Sequence, residues 1–153
     1  MVVHRLAKRR CAHDPLGGAG GLLVGGRWHH KGSRIVYCAQ TLSLASLEFF
    51  VHFEVLHKAI ELVAIGIELP DAIVEDLPAA SLPPNWGETP PAAATADVGS
   101  KWLKSCRSAA LRVPSVLTRG EYNVLINPAH ADFRLVRVVS SNHYKYDTRM
   151  WKA

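Results

Sequence analysis

A chain of 153 residues, 48% hydrophobic and 20% charged, is long enough for one domain with a real core and too short for two ordinary ones, and it is too apolar to stay disordered. Its three cysteines, Cys11, Cys38 and Cys106, are odd in number and form no CxxC pair, so neither a disulfide framework nor a zinc ribbon is indicated and a reducing cytoplasm fits. No apolar run reaches the roughly 18 residues of a membrane span, so a soluble, unexported protein is expected.

The net charge of +5 is segregated along the chain. Residues 1–34 hold seven Lys/Arg against Asp14 alone, residues 35–98 hold nine acids against Lys58, and residues 99–153 hold ten Lys/Arg against three acids. Such a pattern suits a phosphorylated ligand or an acidic protein partner. No helix-turn-helix, basic zipper or RNP motif accompanies it, so direct nucleic-acid binding is not expected.

In chain order, residues 1–10 are a basic segment whose Val2, Val3 and Leu6 can seat it on the core. Residues 14–26, DPLGGAGGLLVGG, hold six glycines and read as a flexible entry loop, because neither a P-loop nor a strand-linked GxGxxG is present. Arg34–Ala39 has the β-branched and aromatic content of a strand, with Tyr37 opposite in face to Val36 and Cys38. Thr41 or Ser43 can cap the next helix, Leu42–Leu56, which is apolar nearly all round and reads as buried. Ala59–Leu69 reads as a strand stopped by Pro70. The proline-rich stretch Asp71–Thr95 reads as a long irregular loop or lid. A helix is expected over Ala96–Arg107 with Trp102 and Leu103 facing in. A strand is expected over Leu111–Val116, demoted to an edge or bulge by Pro114. Tyr122–Asn127 and Phe133–Val139 read as paired strands around the turn NPAHAD, and His143–Trp151 as a last strand.

The sharpest chemical anomaly is Glu48. At 100° per residue, Leu44, Val51 and Val55 lie within about 60° of it, so its carboxylate points with the apolar stripe. A carboxylate so placed costs several kcal/mol unless it is paired, hydrogen-bonded or set in a cleft. Arg27, following a glycine pair, and Tyr37, in the strand, complete a set able to bind an anion, stack on a flat ring and stabilise a developing cation. Other constellations fall away. His52 and His57 are five apart, about 140° on a helix, and do not make HExxH. His29 and His30 point to opposite sides of a strand. Ser115, His130 and Asp132 lack the GxSxG frame of a hydrolase. No metal site is expected.

These segments together resemble the RES-domain toxins of bacterial toxin-antitoxin pairs. The resemblance runs nearly end to end, through HRLAKRR, GGRWHHKGSRIVYCA, LASLEFFVHFE, LPPNW, GSKWLKS, ALRVPSVLTRGEYNVLINPAHADF and YKYDTRMW. It places Arg27, Tyr37, Glu48 and Ser115 on the family's active-site arginine, tyrosine, glutamate and serine. Trp28 and Asn127 fall beside them as substrate-binding candidates. Where the family pattern has asparagine or serine after GGRW, this chain has His29 and His30, and its glycine-rich lead-in is looser.

The resemblance implies one α+β domain over residues 1–153, with a mixed, mainly antiparallel sheet, flanking helices and a distant likeness to ADP-ribosyltransferases. It implies a cytoplasmic enzyme that cleaves the nicotinamide–ribose bond of NAD, as a glycohydrolase or a phosphorylase, and so arrests growth. NAD would be the substrate, with no cofactor. The alternatives are a protein ADP-ribosyltransferase toxin and a non-catalytic binding module. An Xre-type helix-turn-helix antitoxin would bind the toxin in an oligomeric complex.

Overall fold

The computed structural model describes residues 1–52 and 61–151. Val55 and Leu56 of the expected helix, His57, and the start of the expected strand at Ala59 lie outside the described residues. Seven strands form one sheet among those described: β1 (Val2–Lys8), β2 (Val36–Ala39), β3 (Leu62–Glu68), β4 (Val74–Asp76), β5 (Ala110–Pro114), β6 (Tyr122–Ile126) and β7 (Arg137–Tyr144). Their spatial order is β4-β5-β6-β2-β1-β3-β7. All neighbours are antiparallel except β4 and β5. The helices are α1 (Gly20–Leu23), α2 (Leu42–Phe50) and α3 (Ala93–Ser105). The α+β class with a mixed, mainly antiparallel sheet is therefore the observed one.

The basic opening segment is an interior strand. Along β1, Val3 and Ala7 enter the cluster on one face and Leu6 enters that on the other, as strand alternation requires. β1 pairs with β3 over its whole length, from Val2 opposite Glu68 to Lys8 opposite Leu62, but with β2 only at His4 opposite Ala39. The ladder is thus thinnest at mid-sheet, beside Tyr37.

Five expectations are corrected. α2 fully buries only Leu44, Ala45 and Ser46 and leaves Leu47 and Val51 exposed, because one stripe of it packs on β1 and β2 while the opposite stripe faces solvent. The stretch after Pro70 contains β4, whose Val74–Asp76 pair in parallel with Ala110–Arg112. β5 is an inner strand despite Pro114. That proline stands beyond the end of β4, so its missing N–H interrupts no ladder there. Finally, β6 and β7 do not pair. Both flanks of β6 are taken by β5 and β2, and a 3-10 turn over Ala131–Leu135 leads the chain to the far edge, where β7 pairs with β3. β7 ends at Tyr144, and the expected last strand is replaced by a 3-10 turn over Thr148–Trp151.

One face of the sheet is covered by the cluster holding Val36, Cys38, Ile65, Val124 and Ile126. The other is shared. Towards β5, residues of α3 (Trp102 and Leu103) join Trp28, Leu111, Val113 and Leu125. Towards β3, Phe49 and Phe50 at the end of α2 join Leu6, Leu62 and Tyr146. Tyr37 pairs with Leu125 and Ala39 with Asn123, so Tyr37 and Asn123 project on this second face, between the two helices. No helix among the described residues is long and apolar enough to cross a membrane.

Candidate active site

Thr41 starts the helix that carries the carboxylate. Its Oγ1 accepts the Leu44 N–H at 3.0 Å, an N-cap, and donates its own proton to Glu121 Oε2 at 3.0 Å. At the other flank of α2, the Ser46 hydroxyl lies 2.8 Å from the Tyr144 hydroxyl, and Tyr146 donates to the Ser46 carbonyl at 2.6 Å. The helix is therefore tied at one end to the turn after β5 and along its side to the end of β7 and the chain that follows it.

Glu48 lies in the last turn of α2, half-buried. The partial negative charge of a helix C-terminus disfavours a carboxylate there. Two donors offset this: Asn123 Nδ2 at 2.6 Å and Ser115 Oγ at 3.3 Å, both to Oε1. Ser115 follows Pro114 and is 3% exposed, its N–H donating to Glu121 O at 2.9 Å. Its Oγ accepts the N–H groups of Leu117 (3.1 Å) and Thr118 (3.2 Å), so its lone pairs are engaged and its proton is aimed at Glu48.

Tyr37 comes from β2. Its hydroxyl accepts the Trp28 N–H at 3.2 Å and lies 2.8 Å from His29 Nδ1. A Cβ on Gly26 would stand 2.8 Å from that hydroxyl, which accounts for a glycine just before Arg27. Burial pushes the Tyr37 hydroxyl well above its ordinary pKa. The Trp28 N–H and the Arg27 charge pull it partly back, and the Glu48 charge pushes it further. Both charged groups of the candidate set thus act on this one ring. Arg27 is half-buried and held by its Nη1, which donates to the Trp86 carbonyl at 2.7 Å and the Glu88 carbonyl at 2.9 Å.

Arg27, Tyr37, Glu48 and Ser115 therefore share one face of the sheet. The other two candidates stand apart from the carboxylate. The Trp28 ring, 2% exposed, stacks against Trp86 with centroids 6.2 Å apart inside the α3 cluster, and only its backbone N–H reaches Tyr37. Asn127, 2% exposed, donates from Nδ2 to the Leu103 carbonyl at 3.1 Å and accepts the Ala129 N–H at 3.0 Å through Oδ1. It ties the end of α3 to the turn after β6. His29 is buried while His30 is exposed and pairs with Asp97 at 2.7 Å, so the two do point apart. His130 caps the turn over Ala131–Leu135 by accepting the Asp132 N–H. The Cys38 thiol, pushed up to about 12 by burial, is no nucleophile.

Sequence reasoning missed Asn123 and undervalued His29. Alternation along YNVLI puts Asn123 on the Tyr37 face, but nothing in a strand pattern tells which helix will bring a carboxylate to it.

The RES domain family model matches residues 2–148. The chain is 36% identical over 151 residues to "Toxin Res" of Yersinia enterocolitica, covering 98% of this chain and 99% of that protein. It is 38% identical over 140 residues to the "Prs ADP-ribosylating toxin" of a Sphingobium species, covering 90% and 87%. A chain of the crystal structure of the M. tuberculosis MbcT-MbcA toxin-antitoxin complex superposes with a TM-score of 0.77 at 16% identity, over 94% of this chain and 84% of that one, a likeness of fold.

Proposed function

The chain belongs to the RES-domain family of toxins, and we propose that it acts by cleaving the bond between nicotinamide and ribose in NAD. The observation that carries this reading is the Glu48 carboxylate, held by neutral donors on the same sheet face as Tyr37 and Arg27. Nicotinamide in NAD is already a cationic leaving group, so its departure needs little general-acid help. The barrier is formation of an oxocarbenium-like ribosyl cation. Glu48 opposes that charge and accepts hydrogen bonds from the ribose hydroxyls, an electrostatic effect enlarged where water is excluded. Arg27, one nitrogen anchored by the Trp86 and Glu88 carbonyls, turns the rest of its fork to the pyrophosphate. Tyr37 offers its ring to the nicotinamide end, its hydroxyl being engaged by Trp28 and His29. Ser115 acts through Glu48, since its oxygen is already committed to two backbone N–H groups.

The acceptor of ADP-ribose is water or phosphate, and product analysis tells them apart. Incubating the purified chain with NAD, with and without inorganic phosphate, gives free ADP-ribose by hydrolysis and a phosphorylated ADP-ribose by phosphorolysis. Release of nicotinamide in neither buffer would overturn the reading.

A second reading is favoured by the Sphingobium relative, whose name describes an ADP-ribosylating toxin. The same cation can be captured by a side chain of a target protein. Label from the adenine of NAD would then appear on protein and not in solution. Toxicity of this kind is held in check by an antitoxin, and we take the partner to be an Xre-type helix-turn-helix protein whose acidic segment meets the basic segments of this chain, the complex being oligomeric and cytoplasmic.

A further inference from the structure

The hydrogen bonds around Glu48 divide its two oxygens between the protein and what lies in front of it. Oε1 receives both donors, Asn123 Nδ2 at 2.6 Å and Ser115 Oγ at 3.3 Å. Oε2 has no donor among the described residues. The Asn123 contact is the shorter, as a charge-assisted bond should be. It is also the more rigidly based, because Asn123 stands on β6, an inner strand paired on one side with β2 and on the other with β5. Ser115, by contrast, sits past the last residue of β5, on a turn.

We infer that Asn123 is a positioning residue, which fixes the Glu48 carboxylate through Oε1 and so presents Oε2 to the ribose. The inference rests on the NAD-cleaving reading and adds to it the residue that sets the reactive geometry. A carboxylate near a helix end has three side-chain torsions to settle, and a donor fixed to the sheet selects one arrangement. The alternative assignment, in which the Asn123 carboxamide itself binds NAD, makes a different kinetic prediction. A group that only aims the carboxylate lowers kcat, whereas one that binds the substrate in ground and transition state alike raises KM.

The test uses Asn123→Ala and Asn123→Asp, the second keeping the shape while removing the N–H donor. In folded variants, judged by near-ultraviolet circular dichroism, kcat for nicotinamide release is expected to fall by about tenfold to a hundredfold, with KM within about threefold of the parent. An unchanged kcat, or a raised KM with kcat retained, overturns the inference. A second measurement needs neither catalysis nor a folded Asn123 variant. In this 16.8 kDa chain the Asn123 side-chain amide resonances are expected to move when Glu48→Gln removes the charge they point at. If they stay in place, the inference fails whatever the enzyme does. If they move while the parent chain releases no nicotinamide, the contact stands and it is the NAD reading that falls.

Discussion

The Tyr37 hydroxyl lies 2.8 Å from Nδ1 of His29, and the same hydroxyl accepts the backbone N–H of Trp28 at 3.2 Å. One side chain of β2 thereby fixes the segment that follows the glycine pair, and with it the start of Arg27. Burial lowers the pKa of His29 from its ordinary value of 6.5, and its buried Nε2 has no hydrogen-bond partner among the described residues. The ring is neutral at pH 7.

That arrangement makes stability fall on the acid side of neutrality. A histidine whose folded pKa is lowered contributes its full stability above the unfolded value of 6.5, because both states are then neutral. As pH drops through 6.5 the unfolded chain takes up a proton that the folded chain resists, and stability declines towards the folded pKa. Denaturant midpoints measured between about pH 7.5 and pH 5.5 should decrease, and His29→Asn should flatten that slope.

Gly99 tests how tightly α3 holds the same segment. A Cβ there would stand 1.8 Å from the Trp28 carbonyl oxygen, a backbone atom that cannot swing aside. Gly99→Ala should cost about 2 to 3 kcal/mol by urea denaturation. Gly87→Ala, with nothing within 4 Å of the new Cβ, should stay within about 0.5 kcal/mol.

Arg27 should separate binding from chemistry. Its Nη1 bonds to the Trp86 and Glu88 carbonyls orient the fork, which a lysine ammonium cannot reproduce. Arg27→Lys should raise KM for NAD by about tenfold with a smaller change in kcat. Steady-state rates over a range of NAD concentrations check it.

What could be read from sequence follows the range of the interactions involved. The Thr41 cap, the strand around Tyr37 and the inward-facing Trp102 and Leu103 are local consequences of residue type and period, and they are where they were expected. β4 was hidden because its three residues are a strand only through parallel pairing with β5, more than 30 positions along the chain. The supposed hairpin of β6 with β7 failed for the same reason, since proximity in sequence favoured it while the open edge of β3 offered a longer ladder. Glu48 was conspicuous as a carboxylate on an apolar stripe. Its partner Asn123 was not, because a single polar residue in a strand is ordinary until the opposing helix is known.

The most direct measurement is nicotinamide release from NAD by the purified chain, set beside Glu48→Gln. Release by the parent and a fall of at least about a hundredfold in the variant, with the fold retained, are expected if Glu48 stabilises the ribosyl cation. Equal rates in the two, or no release from folded parent protein, would contradict it.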